Sequence, residues 1–234
     1  MLPGLDGTGN LFEPLLQALG DEWPSRVMRY PVNPGWGYAE LLTWLQDHIP
    51  NDQPLFILAE SFSGPLAIEL AARRPQQVRG LVLCCTFAAN PRPGLNWAAG
   101  LLPWLPMVTW PSGPMLRLLM GLDGPAEARR QMAEVVSGLP PDLVRARLAA
   151  VMAVDVRPVL PSLRQPVWVL QADADALVPS AATQEFCDGI SHAQLVRLAG
   201  PHALLQACPE AAAAVLRDAW RQCFPDLPAE SAYS

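Results

Sequence analysis

The chain is poor in charge. Only 16% of its 234 residues are Asp, Glu, Lys or Arg, against 51% hydrophobic, and the balance is acidic at −6. No Lys/Arg-rich block occurs, which removes the electrostatic footprint of a nucleic-acid-binding protein. No apolar run reaches the roughly eighteen residues of a membrane span, so no stable membrane insertion is expected. The first twenty residues lack the basic start and apolar core of a secretory signal. Cys84, Cys85, Cys187, Cys208 and Cys223 are odd in number and show no C-x-x-C spacing. They read as reduced, mostly buried thiols, and the location expected is cytoplasmic. His48, His192 and His202 stand apart, without the spacing of metal ligands. Internal repeats are absent too. The length suits one large domain or two small ones with a substantial core.

What is present is an alternation. "SRVMRY" (25–30) is a short strand candidate. "PLFILA" (54–59), "VRGLVLCCT" (78–86), "PVWVLQA" (166–172) and "AQLVRLA" (193–199) are apolar runs of the kind found in strands buried on both faces. Between them, "YAELLTWLQDHI", "PLAIELAARR" and "PEAAAAVLRDAWRQCF" carry helical periodicity. Alternating strands and helices predict a mostly parallel sheet with helices on both faces. Residues 88–162 break the pattern. They hold no good strand, and the region is dense in Pro, Trp, Leu and Gly before two helical stretches, "PAEARRQMAEVVSGL" and "PDLVRARLAAVMAV". This predicts a core of residues 1–87 and 163–234, with 88–162 a helical cap over the functional loops.

The strand–helix junction "LAESFSGPLAIELAARRP" (58–75) holds two serines. One reading is helix capping, since Ser satisfies orphan N–H groups ahead of a helix and Pro65 fits the first turn. The other is a nucleophile elbow, small-x-Ser-x-small on a sharp strand-to-helix turn. Ser61 has small flanks, Ala59 and Ser63, with Gly64 beyond. Ser63 would have the bulky Pro65 as its second flank, so Ser61 is the better nucleophile. A serine nucleophile needs a base, an orienting acid and an oxyanion hole, in this architecture in the order Ser, Asp, His. "LAGPHALLQ" places His202 just after the last strand candidate. "VLQADADALVPSAA" offers Asp173 and Asp175 after the strand before it. Asp175 is preferred because "ALVP" behind it gives the turn an apolar anchor, whereas Asp173 suits turn formation. The opening "MLPGLDGTGN" is glycine-rich, as a loop presenting backbone N–H groups to a ligand would be. A phosphate loop is the weaker reading there, because no Gly-Lys-Ser/Thr follows.

Together these motifs resemble the α/β-hydrolase family. "LPGLDGTGNLFEPLLQAL" is similar to the oxyanion loop and first helix of a subgroup reading Pro-Gly where many members read His-Gly. It is also distantly similar to phytyl-ester-synthase-like acyltransferases. "AESFSG" resembles the family's elbow, "DALVP" its acid turn and "GPH" its histidine loop. The resemblance implies that Ser61 attacks a carbonyl carbon, His202 is the base, Asp175 orients it, and the N–H groups of Leu5 and Phe62 form the oxyanion hole. It implies no cofactor and no metal. The apolar cap residues Trp97, Leu101, Leu102, Trp104, Leu105, Met107, Trp110, Met115, Leu118 and Leu119 point to a small-molecule carboxylic ester or thioester with an apolar portion. Acyl transfer on the same residues, and a non-catalytic binding domain of the same fold, stand as alternatives. The oligomeric state is open. In the family the strand running into the oxyanion loop lies between the strands matched here by "SRVMRY" and "PLFILA". Only Met1 and Leu2 represent it, and two strands before it are absent. The natural protein is therefore expected to begin upstream of Met1 with an apolar strand leading into Leu2.

Overall fold

A computed structural model describes residues 1–21, 23–94, 97, 113–122 and 124–226. Strands β1 (Leu55–Glu60), β2 (Val78–Cys84), β3 (Val167–Ala174) and β4 (Gln194–Pro201) form one sheet in that order, and every neighbouring pair is parallel. The four continuous apolar runs are these strands. Helices α1 (Glu13–Leu19), α2 (Tyr38–His48), α3 (Gly64–Arg73), α7 (Ser180–Gly189), α8 (Leu204–Ala207) and α9 (Pro209–Cys223) cover the sheet. The pleat sorts the strand residues between two layers. Ile57, Ala59, Leu81, Leu83, Val167 and Val169 pack on α2, α3 and α7. Leu58, Val82, Trp168 and Leu170 pack on α1, α8 and α9. At about 25 cal/mol per Å² of apolar surface, these two layers are the main stabilising term. β4 is the edge strand, and its residues are half-buried or exposed.

The stretch "SRVMRY" forms no strand. It is held by three main-chain bonds, the Met1 amino group to the Arg26 carbonyl (2.7 Å), Met28 N–H to the Met1 carbonyl (3.0 Å) and Tyr30 N–H to the Gly7 carbonyl (2.8 Å). On its other side Leu2 bridges in parallel to Ala59 of β1, donating to the Leu58 carbonyl at 2.8 Å and accepting from Glu60 N–H at 3.1 Å. Pairing with residues 26–30 stops at Met28 because Pro3, whose nitrogen faces that side, has no N–H to donate, and the chain then turns at Gly4. Leu2 is buried between these neighbours, so the loop at residues 3–9 starts from a fixed point beside the end of β1.

Helices α4 (Gly113–Met120), α5 (Ala126–Ser137) and α6 (Pro141–Ala153) belong to the 88–162 stretch. Its two ends meet at an antiparallel bridge between Ala89 and Asp155, flanked by bonds from Val156 N–H to the Ala88 carbonyl (2.7 Å) and from Asn90 N–H to the Val154 carbonyl (3.2 Å). Met120, Ala128 and Met132 pack on Leu11 and Ala203. Ala203 N–H also donates to the Leu119 carbonyl at 2.8 Å. Three helices thus lie over the ends of β1 and β4 where the loops gather.

Candidate active site

β1 ends at Glu60, and the chain passes through a single 3-10 turn, Ser61–Ser63, into α3. Ser61 sits at φ 46°, in the left-handed region, which costs a non-glycine residue about 1–2 kcal/mol. The turn is tight because α3 starts against the end of β2. A Cβ on Gly64 would lie 2.0 Å from Thr86 Oγ1 and 2.7 Å from Thr86 Cγ2, so only glycine fits. Thr86 Oγ1 in turn donates to the Ser61 carbonyl.

The result is a side chain aimed off the strand end. Ser61 Oγ lies 3.0 Å from His202 Nε2. His202 follows β4 and is buried, and its Nδ1 lies 2.8 Å from Asp175 Oδ2 and 3.0 Å from Oδ1. Asp175 follows β3, and its Oδ1 also accepts the N–H groups of Leu177 and Val178 at 2.8 Å each. Val178 is buried with Phe87 and Ala182, which anchors that turn. Asp173 is exposed on β3. Three separate strand ends therefore bring Ser61, His202 and Asp175 together. With Nδ1 donating to the carboxylate, Nε2 is left to accept the Ser61 proton.

Ser63 does something else. It is fully buried, makes no side-chain cap to α3, lies 2.6 Å from the Tyr30 hydroxyl and donates to the Pro3 carbonyl. It ties the elbow to the glycine-rich loop. That loop is folded by its own bonds: Gly7 N–H donates to the Gly4 carbonyl at 3.0 Å, and Thr8 N–H and Oγ1 donate to Asp6 Oδ2 at 2.8 and 2.5 Å. Tyr38 donates to the Phe62 carbonyl at 2.9 Å and stacks on the Phe62 ring.

Above Ser61 and His202 lies a cavity of about 340 Å³. Its walls are apolar: Met115 and Leu119 of α4, Met132 of α5 and Leu148 of α6 among them. Its floor holds Leu5, Ser61 and His202 beside the carboxyl groups of Asp6 and Glu60. Of the cap residues expected to supply apolar surface, Met115, Leu118 and Leu119 do line it. Trp97 is 73% exposed, and Leu101, Leu102, Trp104, Leu105, Met107 and Trp110 lie outside the described residues. No helix among the described residues is long and apolar enough to cross a membrane.

Residues 38–202 match the family described as serine aminopeptidase, S33. The chain belongs to this hydrolase family. The match runs from the first residue of α2 to His202 and so contains Ser61 and Asp175 as well. Among known proteins, this S33 hydrolase is 28% identical over 220 residues to the pimeloyl-[acyl-carrier protein] methyl ester esterase of Aromatoleum aromaticum, covering 83% of this chain and 87% of the esterase. It is 32% identical over 113 residues to phytyl ester synthase 1 of Arabidopsis thaliana, which is 46% of this chain and 16% of that protein. A lipase-esterase related protein from Clostridium acetobutylicum superposes with a TM-score of 0.79 over 92% of this chain and 91% of its own, at 15% identity. At that identity the likeness is one of fold, the α/β-hydrolase sheet with helices on both faces.

Two charged groups in the S33 hydrolase were not singled out by the sequence. Arg147 of α6 is 2% exposed and donates to the Leu5 carbonyl at 2.6 Å. Glu60, directly before Ser61, is buried and accepts from Gln206 Nε2 at 2.9 Å. Burial pushes the Glu60 carboxyl up from its ordinary 4.5 to about 7; Asp6 adds to the rise, while Gln206, His202 and the Gly4 N–H oppose it. The one signal in the sequence was a glutamate closing an apolar run. A carboxyl raised on folding holds its proton more tightly in the native state. Its contribution to stability is complete below pH 4.5 and is lost as pH rises through about 7. Linkage over that interval amounts to at most about 3 kcal/mol. The wild-type melting temperature should therefore fall between pH 5 and pH 8 more steeply than that of Glu60→Gln, which carries no proton to lose. Parallel melting curves across that range would remove this role for Glu60.

Proposed function

We propose that this S33 hydrolase cleaves carboxylic esters or thioesters with an apolar acyl or alcohol portion, through an acyl-enzyme on Ser61. The observation that carries this reading is Ser61 Oγ 3.0 Å from His202 Nε2, beneath an apolar cavity. His202 takes the Ser61 proton as Oγ attacks the carbonyl carbon, and returns it to the departing alcohol or thiol. Asp175 holds the imidazole and stabilises the imidazolium. Water then attacks the acyl-enzyme with His202 as base, releasing the acid and restoring Ser61. The negative charge that develops on the carbonyl oxygen falls to the N–H groups of Leu5 and Phe62. Carbonyl and N–H point opposite ways across a trans peptide. Gly7 holds the Gly4 carbonyl and Thr86 the Ser61 carbonyl, so each bond turns the following N–H the other way. Each such donor is typically worth about 3 kcal/mol in the transition state.

Residues 88–162 act in this reading as the cap, whose apolar side chains receive the hydrocarbon portion of the substrate. The five free thiols suit a reducing compartment, and the cytoplasm is the location proposed. The similarity to phytyl ester synthase 1 supports a second reading, in which an alcohol rather than water accepts the acyl group.

A series of p-nitrophenyl esters tests both. Each buried CH2 contributes about 0.8 kcal/mol. So kcat/KM should rise by at most about fourfold per added methylene until the cavity is filled. A flat or falling series from acetate onward would remove the apolar-substrate reading. With a long-chain alcohol present, free acid as sole product supports hydrolysis, and an accumulating alkyl ester reassigns the protein to acyl transfer.

A further inference from the structure

Arg147 is a cationic side chain that the mechanism above does not use, yet it lies at the centre of the site's scaffold. It comes from α6, in the middle of the 88–162 stretch, and reaches the loop at residues 3–9. Its Nη1 donates to the Leu5 carbonyl at 2.6 Å, and its Nη2 lies 3.5 Å from the Pro31 carbonyl. The guanidinium carbon sits over the rings of Tyr30 and Phe62, 5.8 and 5.9 Å from their centroids. Phe62 is the residue after Ser61. Gly7 yields space to the same group: a Cβ there would stand 2.4 Å from Nη1, and Gly7 itself is at φ 67°. Among the described residues no carboxylate forms an ion pair with Arg147. A buried cation costs free energy unless carbonyl dipoles and ring faces replace its water, and here they do.

The position of the contact gives it a specific consequence. The bond from Gly7 N–H to the Gly4 carbonyl makes residues 4–7 a β-turn, with Leu5 and Asp6 as its central pair. The peptide between those two is the element that flips between turn types. One of the alternatives requires a positive φ at Asp6, and Asp6 does not have one. Arg147 grips the oxygen of that central peptide. Ser63 grips the Pro3 carbonyl and Gly7 the Gly4 carbonyl. Three successive carbonyls are therefore each held by a different part of the fold, and only the last is held from the cap.

Resting on the reading of Leu5 N–H as an oxyanion donor, we propose that Arg147 is a positioning residue. By holding the central peptide it keeps the turn closed, so that the Gly7 bond to the Gly4 carbonyl aims Leu5 N–H at the developing oxyanion, and it makes that geometry depend on α6 being docked. Groups acting on the oxyanion alone stabilise the transition state and leave ground-state binding unchanged. Arg147→Met keeps the length and apolar stem of the side chain but cannot hold the carbonyl. It should lower kcat on a p-nitrophenyl ester by about 10- to 100-fold and leave KM within about twofold. Affinity for an alkyl trifluoromethyl ketone, whose hemiketal oxygen mimics the oxyanion, should fall by the same factor as kcat/KM. Arg147→Lys retains a buried cation able to reach one carbonyl, and should recover part of both losses.

The controls separate this proposal from the reading beneath it. Wild-type turnover that disappears in Ser61→Ala establishes that reading first. If wild type shows no such turnover, the reading fails and the proposal with it. If wild type turns over but neither Arg147 variant changes ketone affinity, the proposal alone is overturned. The same holds if ketone affinity is unchanged while melting temperature falls, since that marks a packing role. Should Arg147→Met fail to melt cooperatively, Arg147→Lys carries the test: ketone affinity and kcat/KM must fall together in that folded variant, or the proposal is wrong.

Discussion

Ser61→Ala is expected to lose fluorophosphonate labelling and to lower ester turnover by about five orders of magnitude or more, with the fold intact. The size follows from the arrangement. The hydroxyl is the atom that bonds to the substrate, and His202 has no other proton to take at 3.0 Å. What remains is binding in the cavity and the oxyanion donors, which act on a water attack that nothing positions. A second substitution separates chemistry from folding. Ser61 holds φ 46°, and alanine keeps that strain while glycine releases it. Ser61→Gly should therefore be as inactive as Ser61→Ala but more stable by about 1 kcal/mol. Equal stability of the two would mean that the turn relaxes when the hydroxyl is removed. Residual turnover above about one part in a thousand of wild type, in protein free of contaminating esterase, would remove Ser61 as the nucleophile.

β1, β2 and β3 were legible because each is a largely apolar run, and a strand covered on both faces has no polar side to confuse its period. β4 is an edge strand with Gln194 and Arg197 exposed, and was not the both-faces-buried strand expected. "SRVMRY" looked similar and failed as a strand, because pairing depends on a partner. Its partner passes from Leu2 to Pro3, which cannot donate. The order of Ser61, Asp175 and His202 could be read because each follows a strand, so the topology alone brings them to one edge. Ser63 was visible only as a rival to Ser61. Its part depends on Tyr30, 33 residues away, and on Pro3, 60 residues away. Glu60 and Arg147 were missed for a related reason. A lone charged residue is most often exposed, and only the folded neighbours show that these two are buried. Arg147 shares its helix with Arg145, and nothing in the local sequence tells the buried arginine from its neighbour.

Between the two aspartates of the acid turn, Asp175→Asn should lower kcat by about 10⁴-fold, whereas Asp173→Asn should stay within about twofold of wild type. Two hydrogen bonds to one oxygen decide the outcome. Asp175 Oδ1 accepts the N–H groups of Leu177 and Val178 at 2.8 Å each. In the asparagine variant only the amide oxygen can take that place, since an NH2 group there would face two donors. The NH2 is then forced into the position of Oδ2, 2.8 Å from His202 Nδ1. An NH2 at that point donates, so Nδ1 must accept and the ring proton moves to Nε2. His202 then presents a donor to Ser61 and cannot take its proton. The fold should survive, because the turn keeps both of its backbone bonds. Asp173 is exposed at the end of β3, and its replacement touches none of this. The measurement is single-turnover acylation of both variants by a p-nitrophenyl ester, alongside thermal melting. An Asp175→Asn protein that keeps more than a tenth of wild-type acylation, or an Asp173→Asn protein that falls as far, would assign the orienting acid elsewhere.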